Sequence, residues 1–354
     1  MELIRKRSGA AIGLLLLILL ILLAQNGAAA ADILRERVTL CLQTLIPALY
    51  GCTAAALLLR ETGAAERLGA GCKRTAHLLG IPADRLAVFA VSQLAGYPVG
   101  SLLLRDLPAR ARRTERLCAL CYGCGPAFAV GFAGGTLFGD AFAGWMLLCA
   151  CILSNLLLAL LARRSIPHTP PPPPVQLHFS AEMLPDTASG TMKTMSQICG
   201  MVLLFGVVRA LCDLLGVTAA AVRFGGLFGV NAQTARAVFS CILDVTQLPA
   251  LFRCGLSYRL LLSLTGALLS FGGLCVMLQC QAVGRGNCRL RTLIFMRIFA
   301  AVLTFLLLYA AAPLHVPTET AAVFAPRTAV SGSGSVLPAL LIICTGFPFL
   351  IKKD

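Results

Sequence analysis

Apolar stretches of about 20 residues, the length a helix needs to cross the hydrocarbon core of a bilayer, recur along the whole of this chain. Inside a bilayer every backbone donor and acceptor has to find its partner within the protein, and a helix closes its own. Composition agrees: 58% of the 354 residues are apolar and 13% are charged, with a mean hydropathy of +0.84. No water-soluble globular class fits those values, and the usual estimate of domain number from length does not apply. The expected fold class is an all-α polytopic membrane protein, its core packed within the lipid bilayer.

The formal net charge of +15 invites a nucleic-acid reading. The bases, however, cluster in short loops between spans, with no aromatic–basic face beside them, and retention of loops on the cytoplasmic side explains that pattern. No nucleic-acid partner is expected. Most of the 16 cysteines lie within apolar segments, where Cys acts as a small hydrophobe, so a reduced, cytosol-facing protein is the simpler view. Cys118, Cys121 and Cys124 are spaced as in an iron–sulfur run. The same spacing lines one helical face with small side chains, and the rest of a ferredoxin signature is missing, so neither metal nor other cofactor is expected.

Residues 1–37 combine a basic start with a long apolar run, an N-terminal transmembrane helix that also reads as a cleavable signal because NGAAAAD follows it. Residues 38–164 form a first unit. It opens with a span to about Leu59, continues through a polar stretch with Arg60, Arg67, Lys73, Arg74 and Arg85 that suits an interfacial helix, and reaches an apolar segment near 86–104. Next come an arginine-rich loop, a span over 117–137 and a return span over 141–162. Residues 165–179 contain five consecutive prolines, a stiff linker. The second unit, 180–313, has an interfacial stretch near Ser180 to Lys193, a span from about Met195 to Leu215, a segment near 237–251, a span from about Leu260 to Val283 and another to Ala312. Residues 314–354 supply a loop and a last span from Ser335. In total about 8 transmembrane helices are expected.

Two segments do not read as plain spans. SQLAGYPVGS sits at the centre of the 86–104 run, and Gly96 with Pro98 breaks any helix there. Five-cation loops flank it on both sides, so a crossing would export one of them. A re-entrant hairpin with its tip at Gly96 and Pro98 removes the conflict. AVFSCILDVTQLPALF places Asp244, Thr246, Gln247 and Pro249 in a second such segment, read as a hairpin opening outward with Pro249 near its tip. The spans that follow carry their own interruptions, at Gly123, Gly125 and Pro126 and at Gly272 and Gly273. The two halves thus share one order in opposite orientation, an inverted repeat, although few residues are identical between them. Secondary transporters are often built this way, with substrate held near the midplane by interrupted helices. Half-helices ending there present free N–H groups and a positive dipole end, which favour an anion or a polar solute.

SQLAGYPVGSLLLRDL, RLCALCYGCGPAFAVG and LLSFGGLCVMLQCQ resemble segments of the sporulation integral membrane protein YlbJ family, the stage V sporulation membrane proteins. The likeness runs from about residue 35 onward. It implies a nucleoside-recognition or Gate domain, similar in outline to concentrative nucleoside transporters and the ferrous-iron permease core. It further implies carriage of dipicolinic acid, a small planar dianion, from the mother cell toward the forespore, with the protein in the outer forespore membrane of a spore-forming bacterium. Family members often carry a lysine where this chain has Leu102 and a histidine where it has Met277. The acidic residue at Asp244 is kept. Arg105, Arg209 and Arg253 are the candidate substitutes for the absent lysine.

The substrate-binding set expected from these readings is Ser92, Gln93, Gly96, Tyr97, Pro98, Ser101, Gly125, Pro126, Asp244, Thr246, Gln247, Gly272, Gly273 and Gln279. Asp244 stands out, because a carboxylate in a membrane segment is costly and such residues usually serve function. A hydrated place at the interface is its bland alternative, and for the Ser and Thr hydroxyls that alternative is bonding to their own helix. No catalytic residue is expected: there is no zinc motif, nucleophile elbow, paired carboxylate or nucleotide loop. A transporter of a small anion is the leading expectation. A sporulation scaffold and a carrier of nucleoside-like solutes are the alternatives, and homo-oligomerisation stays open.

Overall fold

In the computed structural model, which describes residues 21, 24–25, 27–65, 67, 71–105, 113–163, 177–284 and 288–315, the chain is helical and no strand occurs among the described residues. The first apolar segment, most of the 105–116 loop, nearly all of the proline-rich linker and the last span lie outside them. Among the described residues five helical stretches are long and apolar enough to cross a membrane: Ala31–Glu61, Ala141–Ala162, Met183–Leu214, Tyr258–Val283 and Leu290–Leu314. They are compatible with a multi-pass membrane protein.

The first of these runs as α1 (Gly27–Leu40) and α2 (Ile46–Glu61) through a wide π-type turn at Cys41–Leu45. Pro47, two residues beyond that turn, has no N–H to donate back to it. Short α3 (Lys73–Leu79) ends at Gly80. The expected break in the 86–104 segment is present: α4 (Ala83–Ala95) stops at Gly96, and α5 (Val99–Leu104) starts after Pro98. Gly96 has φ 81° and ψ 168°, a backbone region essentially reserved for glycine. The 117–137 segment is not one helix. It divides into α6 (Arg113–Leu120) and a π-type helix, Ala127–Phe138, with a non-helical stretch over 122–124 between them.

Asp140 then starts α7 (Ala141–Ala162) by accepting from Phe142 N at 2.8 Å, a side-chain N-cap. The stretch at 183–193 that reads as interfacial is instead the start of α8 (Met183–Leu214), a single helix of 32 residues. At 1.5 Å per residue it is about 48 Å long, well beyond the hydrocarbon thickness, so its polar first turns extend past the apolar zone. After α9 (Val217–Gly226), Asn231 caps α10 (Ala232–Leu243) by accepting from Thr234 N at 2.7 Å.

The second interruption falls at Asp244, five residues before the proline expected to make it. Asp244 is extended, and its carboxylate takes the N–H of Thr246, which starts a new 310 helix over Val245–Arg253. Pro249 sits inside that 310 helix. A carboxylate that captures the next free N–H ends one helix and opens another, so the aspartate and not the proline sets the turn. The last elements are α11 (Tyr258–Phe271), α12 (Gly273–Val283) and α13 (Leu290–Ala311), with the expected break at Gly272 and Gly273.

Alpha helices α1, α2 and α8 pack together on one side, and α7, α11 and α13 on the other. The interrupted segments lie between these two groups. Close approach is bought with small residues, as is usual for membrane helices. A β-carbon on Gly134 would lie 2.5 Å from Gly144 Cα, which brings the π-type helix against α7. Lipid-sized apolar side chains cover the outside, among them Phe295, Phe299, Val302 and Leu306 along α13. Cysteines mostly serve as buried packing, and Cys118 and Cys288 face each other, their Cα atoms 5.8 Å apart. That separation lies within the range a disulfide requires.

The breaks make a stability test. Gly273 and Gly139 both have positive φ, 79° and 66°. A β-carbon at Gly273 would lie 2.9 Å from Val245 N, whereas one at Gly139 meets nothing within 4 Å. Alanine at either position carries a conformational cost of about 1–2 kcal/mol, and at Gly273 a further ~1–3 kcal/mol of overlap. Thermal unfolding in detergent should therefore show a clearly larger loss for Gly273→Ala than for Gly139→Ala. Equal losses would mean that the two breaks of the second half are not packed together.

Candidate functional site

Four chain interruptions meet at one place. The break at Gly96 lies against that at Gly125: a β-carbon on Gly125 would stand 2.9 Å from Gly96 Cα. The break at Asp244 lies against that at Gly273, whose β-carbon would stand 3.3 Å from Asp244 Cα. Tyr122 joins the two pairs, since a β-carbon on Gly272 would be 2.7 Å from its ring. Only glycine lets backbones pass this closely.

Between the pairs lies a narrow cavity with about 410 Å3 of space free of atoms, part of it open outward. It has room for about two waters. Tyr97, Cys124 and Phe128 wall it from the first half, and Asp244, Thr246, Val276 and Gln279 from the second. Leu45 and Leu49 close it from the middle of the Ala31–Glu61 helix, and Ile198 and Val202 from the middle of α8. The cavity is thus at mid-height of the two longest apolar helices. Tyr97 packs its ring 5.0 Å from that of Tyr122 and 6.5 Å from that of Phe128. The hydroxyl of Tyr97 is buried and has no partner among the described residues.

The polar side of the cavity is held by a residue that the sequence reading leaves out. Arg37, in the last turn of α1, is buried and donates from Nη1 to Thr246 Oγ1 at 3.0 Å. The Thr246 hydroxyl in turn donates to Asp244 Oδ2 at 2.6 Å, and Arg37 Nη1 stands 3.7 Å from that oxygen. Charge balances within the group, so the Asp244 carboxylate can lie 4% exposed in apolar surroundings without an uncompensated cost.

A second network lies behind Tyr97 and Tyr122. Gln93 Nε2 donates to Leu120 O at 3.2 Å, and Gln93 Oε1 accepts from Asn155 Nδ2 at 2.7 Å. Asn155 Nδ2 also donates to Tyr122 O at 3.0 Å. Arg297, fully buried on α13, donates from Nη1 to Tyr122 O at 3.1 Å and to Asn155 Oδ1 at 2.9 Å. These bonds satisfy carbonyls freed where α6 breaks off, and a cation at a helix C-terminus is favoured by the dipole. Arg297 also lies over the Tyr122 ring, 5.1 Å from its centroid.

Of the expected set, Tyr97, Asp244, Thr246 and Gln279 line the cavity, and Gly96, Pro98, Gly125, Pro126, Gly272 and Gly273 shape the breaks around it. The others lie off it. Ser92 Oγ donates to Phe89 O at 2.7 Å within its own helix, Gln93 belongs to the network just described, and Ser101 Oγ meets the sulfurs of Cys118 and Cys288. Gln247 points to a separate cleft, where its Oε1 accepts from Arg209. Arg37, Asn155 and Arg297 are the polar residues that sequence reading missed. Asn155 and Arg297 did leave a signal, each being a strongly polar side chain in the middle of a long apolar run. Arg37 left none, because ILRERV reads as an ordinary charged span end. Among the described residues no group of three or more His, Cys, Asp or Glu side chains is placed to hold a metal ion.

No family model matches the chain, and no curated protein or solved structure is significantly similar to it.

The Arg37–Thr246–Asp244 group yields a prediction. Removing one charge of a buried pair typically costs about 3–5 kcal/mol, because the other is left uncompensated. Arg37→Ala should lower unfolding stability by that order, while Arg37→Ala combined with Asp244→Ala should cost less than the sum of the two single changes. A double-mutant cycle in detergent measures the difference, and strict additivity would show that the two charges do not interact.

Proposed function

We propose that the protein is a membrane carrier for a small polar solute that binds where the four breaks meet. The observation that carries this reading is the shared cavity: Tyr97 of one half and Asp244 and Thr246 of the other face the same space, at mid-height of the longest apolar helices. Irregular backbone at such a depth is tolerated where it is buried in protein or lines a cavity, and transporters place their substrate at the junction of two repeats. On this reading α4–α5 and α10 with its 310 helix are re-entrant hairpins of an inverted repeat, and the complete chain has about 8 spans.

Resemblance to the YlbJ family directs the choice of substrate to dipicolinate, carried from the mother cell toward the forespore across the outer forespore membrane. The rings of Tyr97 and Phe128 suit a flat aromatic guest. One observation favours a second reading. Asp244 puts a carboxylate on the cavity wall, and with Arg37 engaged the pair brings no surplus positive charge, which suits a neutral, nucleoside-like solute better than a free dianion.

Uptake into vesicles containing the purified protein tests both. The carrier reading expects wild-type vesicles to accumulate labelled dipicolinate, with Asp244→Asn and Tyr97→Ala each lowering the rate by about tenfold or more, equivalent to at least ~1.4 kcal/mol at the limiting step. Uridine uptake in place of dipicolinate uptake would favour the second reading. A non-transporting scaffold would move neither solute and would tolerate both substitutions.

A further inference from the structure

Both oxygens of Asp244 are held by one neighbour: Oδ1 accepts from the N–H of Thr246 at 3.1 Å and Oδ2 from its hydroxyl at 2.6 Å. That hydroxyl oxygen also accepts from Arg37 Nη1 at 3.0 Å, while Nη1 itself stands 3.7 Å from Oδ2. The two charges are therefore joined through a hydroxyl, not by a direct bond. Arg37 has little other support. Its Nε is buried with no partner among the described residues, and Nη2 reaches Glu36 at 3.8 Å, a side chain 71% exposed whose charge water screens. The other charged or titratable groups set around Asp244 are Arg209 from α8, Cys41 from the π-type turn, Cys241 from α10, Cys275 from α12 and Tyr97 from the break after α4. Thiols and phenols ordinarily keep their protons at neutral pH and guanidinium groups do not lose theirs, so Asp244 is the member of this set that one proton changes.

We propose that Asp244 is a proton-binding site linked to the guest: an anionic solute enters the cavity together with one proton, which Asp244 takes up. The linkage of proton to anion stands on the geometry of the Arg37–Thr246–Asp244 group; its part in transport rests on the carrier reading above. A hydroxyl has one proton to give and two lone pairs with which to accept. With Asp244 ionised, the Thr246 proton goes to Oδ2 and the group is neutral. When a proton from adjoining water binds Oδ2, the carboxyl becomes the donor. The Thr246 oxygen then accepts from both Arg37 and Asp244, and its own proton turns to the cavity, which Thr246 lines. Oδ1 keeps the backbone N–H throughout, so the helix start that Asp244 caps is not undone. One proton thus makes two changes: it leaves the Arg37 charge without its buried counter-charge, and it adds a hydroxyl donor to the cavity wall. The buried, unpartnered Tyr97 hydroxyl offers another donor from the opposite half. Both changes favour an oxyanion, and away from water both count for more. Loss of the proton lets the carboxylate reclaim the Thr246 hydroxyl, restores the balance and releases the anion. The balanced pair that suits a neutral solute is on this account one state of a site that a single proton converts for an anion.

The test uses the full chain in nanodiscs of phosphatidylcholine, with pyridine-2,6-dicarboxylate as the anion and uridine as the neutral control, between about pH 6 and about pH 8, where both ligand carboxylates are ionised. Calorimetry in buffers of different ionisation enthalpy counts the protons taken up per ligand bound. Wild-type protein should take up about one proton with the dicarboxylate and none with uridine, and its affinity for the dicarboxylate should rise by up to about tenfold for each unit the pH falls, because coupling between two ligands is reciprocal. In Asp244→Asn the amide nitrogen donates to Thr246 as the protonated carboxyl does. That variant should bind the dicarboxylate at about pH 8 as tightly as wild type does at about pH 6, with no proton taken up, so that its slower vesicle uptake lies in release. Thr246→Ser, which keeps the hydroxyl, should keep the linkage. Dicarboxylate binding by wild type without proton uptake, proton uptake that persists in Asp244→Asn, or no dicarboxylate binding by wild type overturns the proposal; the first and last are read on the natural protein, whatever the folding of the variants. Vesicle uptake separates the linkage from the carrier reading. Uridine uptake with no proton-linked anion binding removes the linkage and leaves the carrier. Proton-linked anion binding without uptake of either solute keeps the linkage and removes the carrier.

Discussion

A helix that stops inside an apolar slab strands its last carbonyls and its successor's first N–H groups where no water can reach them, and each stranded group costs several kcal/mol. Among the described residues the chain stops its helices at four places that meet in its packed, apolar interior, and much of the rest of the structure answers that cost. Gln93 from α4, Asn155 from α7 and Arg297 from α13 converge on the carbonyls of Leu120 and Tyr122, where α6 ends. In the second half the same service is local: Asp244 takes the N–H and hydroxyl of Thr246, two residues on. Long helices therefore cannot be assembled independently of the breaks, because they carry the caps.

The two buried arginines illustrate how differently one charge can be housed. A guanidinium does not give up its proton, so burial has to be met by acceptors. Arg37 meets it with a carboxylate reached through a threonine hydroxyl. Arg297 meets it with a backbone carbonyl, an asparagine oxygen and the face of Tyr122, with no carboxylate in contact among the described residues. The first arrangement can be rebalanced by one proton or one displaced bond, whereas the second is tied to the covalent path of the chain. That contrast makes the Arg297 side of the junction the more firmly tied and the Arg37 side the more easily rearranged.

The halves are also unlike in what they offer the cavity. From the first come rings and sulfur, Tyr97, Phe128 and Cys124; from the second come Asp244, Thr246 and Gln279. A guest with one flat apolar surface and one polar edge matches this division, and both solutes considered above have that form. The polar half is the one that adjoins the cleft holding Arg209 and Gln247.

What the sequence by itself determined are the features that depend on neighbours along the chain: membrane-length apolar runs, the interruption at Gly96 and Pro98, those at Gly125 and at Gly272 with Gly273, and the oddity of Asp244. Each follows from backbone chemistry that a residue carries with it, a missing donor, a missing β-carbon or a charge in an apolar run. Tertiary structure alone decided which of these meet. It moved the second interruption from Pro249 to Asp244, because a side chain that captures a nearby N–H outweighs a ring that a 310 helix can accommodate. It also brought Arg37 across to Thr246, 209 residues away, and set Asn155 and Arg297 under a broken helix end. Such pairings depend on how helices cross in space, and a charge at a span end or a strongly polar side chain in an apolar run carries no record of the partner it will find.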